Sequence, residues 1–282
     1  MRFRVFIVCS IVLLLAIGGV GYYVLSRPFT PNVPVPLGPA CSVTTPTGKV
    51  GMDATQIANA ATITATGIRH SMPDRAIVIA LAVALQESKL ENLPTGDRDS
   101  VGLFQQRPSQ GWGTPAELQD PRVATNKFYT ALLKVKGWQT MRVTEAAQRV
   151  QRSAYPEAYQ QWADEAQILV EALLGSTPNA VACTKMGDPE VVGPAAVAGL
   201  GNLLHLDFGE VTTVDSPDNA GLSVTVPDPR TGWQFAHWLV AHSTDQGVAR
   251  VHYQNQEWTA ENGGWAEVNL SVTGVVAQVY QS

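Results

Sequence analysis

From position 76 to 85, ten apolar residues follow one another without a break, and no other feature of the chain limits its fold so sharply. The run follows Pro73-Asp74, a proline suited to a first helical turn and an acid suited to the positive end of the helix dipole. A helix is predicted here. With no polar face it must be buried on every side, and ten residues are too few to cross a bilayer. The run closes on Gln86-Glu87-Ser88-Lys89, so a carboxylate arrives at the last turn of a wholly apolar helix.

A second apolar stretch has a different meaning. Residues 5–26 carry no formal charge and follow Arg2 and Arg4. That length spans about 30 Å of hydrocarbon, and the arginines favour a cytoplasmic N-terminus with the bulk of the chain outside. A cleaved signal peptide is the alternative, but Tyr22, Tyr23, Val24 and Leu25 are bulky where a small-x-small cleavage site is expected. Residues 1–26 are therefore read as a single-pass anchor in the cell membrane. Residues 27–40 hold five prolines and read as an extended stalk.

Cysteine use fits an exported chain. Cys9 falls inside the apolar span, whereas Cys41 and Cys183 bracket the next domain and are expected to pair in an oxidising milieu. The chain has 24 acidic against 19 basic residues. That balance excludes a nucleic-acid partner, which would need a dense Lys/Arg patch.

Past the stalk, residues 53 to about 174 read as helices interrupted by a turn-rich segment, Pro94-Thr95-Gly96-Asp97-Arg98-Asp99. Residues 184–201 are rich in Gly, Pro, Ala and Val and read as a linker. In the remainder, residues 222–226 and 248–253 alternate like strands around a helix at 232–244, a small α+β module.

Glu87 is the candidate for chemistry. Burial penalises its charged form and the negative end of the helix dipole pushes the same way, so both raise its pKa. A carboxyl that keeps its proton near neutrality can protonate a leaving-group oxygen. A solvated glutamate beside Lys89 is the competing account of this residue taken alone.

Three segments in order carry a resemblance: Glu87-Ser88, then Gly102-Leu103-Phe104-Gln105-Gln106, then Ala154-Tyr155-Pro156, with Asp120-Pro121 and Asn126 between the last two. Residues 53–166 thereby resemble the lysozyme-like superfamily, specifically soluble lytic transglycosylase and goose-type muramidase domains. The resemblance implies Glu87 as general acid and base on a β-1,4 bond between amino sugars of peptidoglycan. It implies Ser88 and Gln105 lining the cleft and Tyr155 orienting Glu87 or the substrate. Phe104 stands where the family has Met. Pro156 stands where it has Asn, which removes a hydrogen-bonding side chain.

Glycoside cleavage usually employs a second carboxylate. Asp97 and Asp99 are the nearby candidates, with ordinary turn formation around Gly96 as the alternative. With such a partner the enzyme is a hydrolase; without it the substrate's own groups complete a transglycosylase reaction. Trp112 suits either a sugar-stacking wall or core packing. In the last third, His237, His242 and His252 lack metal-site spacing, so no metal or cofactor is expected. Trp233, Trp238, Trp258 and Trp265 fit a compact core better than a binding face.

The expected fold class is a mainly α lysozyme-like domain (41–183) and a small C-terminal α+β accessory domain (202–282), joined by the 184–201 linker and set behind an N-terminal transmembrane helix. The expected activity is that of a membrane-anchored peptidoglycan glycosidase, with contacts to envelope proteins through residues 202–282. The alternative is a non-catalytic glycan-binding scaffold of a secretion or conjugation complex.

Overall fold

The computed structural model describes residues 40–281 apart from Met186, Pro217 and Asn219. The expected membrane anchor at 1–26 and nearly all of the stalk lie outside the described residues.

Strands β1 (Cys41–Thr45) and β2 (Gly48–Met52) form a tight antiparallel hairpin. Asp53 then caps α1 (Ala54–Arg69) through a reciprocal box with Gln56. Helix α2 (Asp74–Ser88) follows, with Pro73 at its N-cap. Residues 76–85 are at most 5% exposed, so the apolar run is enclosed as its composition requires. Past α3 (Pro115–Leu118), which packs on the next helix, α4 (Pro121–Leu133), α5 (Val143–Gln151) and α6 (Ala163–Leu173) pack around it together with α1. Strand β3 (Val181–Cys183) returns to pair antiparallel with β1, setting Cys41 opposite Cys183, and the two form a disulfide. That bond closes a loop of 142 residues, as expected from the sequence.

Beyond the disulfide come α7 (Gly193–Phe208), β4 (Thr213–Asp215), β5 (Gly221–Val224), α8 (Pro229–Ala241), α9 (Ser243–Gln246), β6 (Val248–Thr259) and β7 (Trp265–Val279). The second sheet runs β4-β5-β7-β6, antiparallel throughout.

The expected fold class is corrected here. The described residues form nine α-helices and two antiparallel sheets of three and four strands. Among them no helix is long and apolar enough to cross a membrane. The first sheet belongs to the part expected to be helical. The segment expected as a linker contains the start of α7, whose Ala196, Val197, Leu200 and Leu204 are buried. Its small residues looked like loop composition, yet on a helix they permit close packing.

Nor do residues 202–282 stand apart. Helix α8 packs on α1, α6 and β3, and one hydrophobic core runs from Val43 to Val279. Trp233, Trp238 and Trp258 are at most 3% exposed and belong to that core. Fully buried Asp207 on α7 lies at the join. Its carboxylate pairs with Arg122 at the start of α4 and accepts from Trp238 Nε1 at 2.7 Å and Thr62 Oγ1 at 3.2 Å.

His237 on α8 binds across the same join. Its Nε2 accepts the Ala180 N–H at 3.0 Å while Nδ1 lies 2.8 Å from the Ala172 carbonyl, so the neutral ring carries its proton on Nδ1. Burial pushes its pKa down to about 4, against the opposing pull of the Ala172 carbonyl. The unfolded chain takes up this proton below about pH 6.5 and the folded chain does not. Stability from His237 is therefore complete above pH 6.5 and falls as pH drops toward 4, by about 1.4 kcal/mol per unit and about 3 kcal/mol in all. Denaturant melts of the whole chain between pH 7 and pH 4.5 should show this loss, and His237→Asn should flatten that part of the profile.

Candidate active site

Helix α2 ends because Lys89 turns left-handed at φ 56° and its N–H closes on Leu85 O. The end of the helix is held against the segment that follows. The Ser88 hydroxyl sits 3.1 Å from Ala84 O and 2.8 Å from Leu103 O. Gly102 has φ +77°, and a Cβ there would collide with the Leu118 carbonyl, so only glycine permits this approach. Phe104 is buried and stacked on Phe128 at 5.0 Å. Gln106 is buried and donates to Ala124 O at 3.2 Å. Gln105 between them turns toward solvent with φ 46°.

The result is a groove of about 550 Å³ with Glu87 in its lining. Tyr159 Oη donates to Glu87 Oε1 at 2.7 Å, and Gln151 Nε2 reaches the same oxygen at 3.3 Å. Among the described residues none donates to Oε2, which leaves that oxygen for a ligand. Burial raises the Glu87 pKa above the ordinary carboxylate range, and the bonds from Tyr159 and Gln151 partly offset it by favouring the charged form. Tyr159 is raised in turn, by burial first and then by the negative charge and hydrogen bond of Glu87. It therefore stays a proton donor.

Glu87, Gln105, Asp97, Trp112 and Tyr155 share this groove. Gln105 is braced, its Oε1 2.9 Å from Ser100 Oγ and its Nε2 donating to Gly102 O at 3.1 Å. Trp112 is half-buried, with one part against the core and another forming a wall.

Two expected cleft residues are elsewhere. Ser88 is buried and locks the end of α2 to Leu103, so it shapes the floor without touching the groove. Asp99 is outside the lining. Its oxygens accept from Ser109 N at 2.7 Å, Arg107 Nε at 2.9 Å and Ser109 Oγ at 3.0 Å. These bonds, the Ser109 N–H first, hold its pKa down to about 2. It is a turn brace. Asp97 remains at the rim with its side chain in solvent.

The tyrosine assignment is also corrected. Tyr155 is 73% exposed on the rim, whereas Tyr159 is fully buried against Glu87. The chain holds a second Ala-Tyr pair, Ala158-Tyr159, four residues after the first, and Gln160 follows it where Pro156 follows Tyr155. That repeat was the available signal. Gln151, at the end of α5, carried none. Its Nε2 also donates to Phe104 O at 2.8 Å, tying the helix to the groove floor.

The histidines of the last third do not converge. His237 is bound as above, His242 Nδ1 meets Asp245 at 3.0 Å, and His252 Nε2 meets Leu270 O at 3.0 Å. Among the described residues no cluster of three or more metal-ligating side chains forms. Comparison with known proteins finds no matching family model and no matching curated protein.

Proposed function

We propose that this chain is an exported peptidoglycan glycosidase of the lysozyme-like kind, with Glu87 as its general acid and base. The observation that carries the reading is the Glu87 carboxyl itself. It is half-buried at the end of an apolar helix, pinned through one oxygen by Tyr159 and Gln151, with its other oxygen free beside an open groove.

In this reading protonated Glu87 gives its proton to the bridging oxygen as the glycosidic bond breaks, and the sugar ring takes up positive charge. The resulting carboxylate then accepts a proton from the nucleophile that attacks the anomeric carbon. Asp99 has its oxygens occupied, and Asp97 lies in solvent, so neither holds a water in place. That favours attack by the 6-hydroxyl of the same sugar, giving a 1,6-anhydro end, the outcome of a lytic transglycosylase. The apolar segment at 1–26 would tether the enzyme to the membrane and keep cleavage close to it. Contacts with envelope proteins through residues 202–282 belong to the same proposal.

Digestion of purified peptidoglycan followed by mass spectrometry tests it. Anhydro-muropeptides are expected. New reducing ends would make the enzyme a hydrolase, and no release at all would overturn the glycosidase reading in favour of a scaffold.

Tyr159 acts as a positioning residue. Its hydroxyl favours the ionised form of Glu87, so Tyr159→Phe should raise the Glu87 pKa and move the alkaline limb of the pH–rate profile upward. Activity at the optimum should fall by about tenfold, in line with the loss of a hydrogen bond to a charged group. Tyr155→Phe should move neither quantity.

A further inference from the structure

The groove does not stop at Trp112. On its far side a second depression of about 800 Å³ shares Gln110, Trp112, Gln151 and Arg152 with the first. Its composition is distinct. Ala131, Val135 and Val150 supply an apolar floor, while Lys134, Arg149 and Arg152 stand on the rim with exposed side chains. No Asp or Glu contributes to the lining. Among the described residues none of these three cations forms an ion pair. Glu145, one turn before Arg149, is bound to Arg142. Three cations gathered around one depression run against a chain whose net charge is −5.

We propose that this second depression binds the carboxylate-bearing peptide carried by the muramyl sugar, so the protein selects peptide-substituted glycan over bare glycan. The proposal rests on the glycosidase reading for the strand it continues. The cationic rim matches the peptide's carboxylates. The apolar floor matches its methyl side chains, and a phosphate polymer would leave that floor uncovered. The shared residues make the two depressions one path, so a sugar beside Glu87 can place its substituent past Trp112.

The test uses the full chain carrying Glu87→Gln, to prevent cleavage, and three soluble probes: the disaccharide tetrapeptide, the bare disaccharide and the free tetrapeptide. The peptide-bearing disaccharide should bind about tenfold tighter than the bare one at low salt, an advantage that shrinks in about 0.5 M NaCl. In the combined Lys134→Ala, Arg149→Ala background, two residues that line only the second depression, the advantage should vanish while bare disaccharide binding is unchanged, which also reports an intact fold. The free tetrapeptide should bind weakly before these substitutions and not after.

Equal affinity for the two disaccharides, or an advantage that survives the double substitution, overturns the proposal and leaves the glycosidase reading standing. Salt-sensitive binding of the free tetrapeptide and the disaccharide tetrapeptide at equal strength, with no binding of the bare disaccharide, supports the peptide site and counts against the glycosidase reading. Displacement of the tetrapeptide by an equal concentration of inorganic phosphate would mean an unselective anion site and overturns the peptide assignment.

Discussion

Glu87→Gln is expected to slow release of anhydro-muropeptides by about 10²- to 10⁴-fold, or about 3 to 5.5 kcal/mol of transition-state stabilisation, while glycan binding changes little. The amide keeps the shape of the side chain and an oxygen that can accept from Tyr159 and Gln151, so the groove should persist. What it loses is an acidic proton. Because catalysis needs the protonated form at the first step, wild-type activity should decline as pH rises through the Glu87 pKa. Burial has moved that pKa upward, so the limb should lie above the ordinary carboxylate range. An initial-rate profile over pH gives both quantities. A Glu87→Gln protein cleaving at the wild-type rate would place the acid elsewhere.

Asp207→Ala should produce the largest loss of stability, about 3 to 5 kcal/mol. Asp207 is fully buried, and its ion-pair partner Arg122 has a side chain only 21% exposed. Removing the carboxylate strands that guanidinium and leaves the Trp238 and Thr62 donors without an acceptor. The four residues come from α4, α7, α8 and α1, so the damage falls where the first and second halves of the chain join. A drop of roughly 6 to 20 °C in melting temperature corresponds to this cost. Asp207→Asn should lose less, because its amide oxygen still accepts from Trp238. A loss below about 1 kcal/mol, the value of an exposed pair, would show that the cluster contributes nothing special.

The candidate site was partly legible. Glu87 could be found because its neighbours in sequence set its environment: ten apolar residues on one helix bury whatever ends that helix. Gln105 is reached only through the resemblance that the Gly102–Gln106 segment carries, and the close backbone approach at Gly102 is visible only in the fold. Tyr155 was mistaken for Tyr159 because the segment between α5 and α6 has no periodicity to fix which of two Ala-Tyr pairs faces inward. Ser88 and Asp99 were misjudged for a related reason. A hydroxyl or carboxylate beside a cleft reads the same whether it faces ligand or satisfies backbone, and only the partner's position decides.

The division between sequence and fold follows from the range of the forces involved. The enclosed helix, the helix caps, the strand alternation after residue 220 and the Cys41–Cys183 pairing were determined by the sequence itself, since they depend on local periodicity or on two residues with no competitors. The second sheet's union with the helices, the Arg122–Asp207 pair and the path from Glu87 past Trp112 to three cations were decided only by tertiary structure. Those contacts join residues far apart in the chain, and nothing in the neighbourhood of either partner specifies the other.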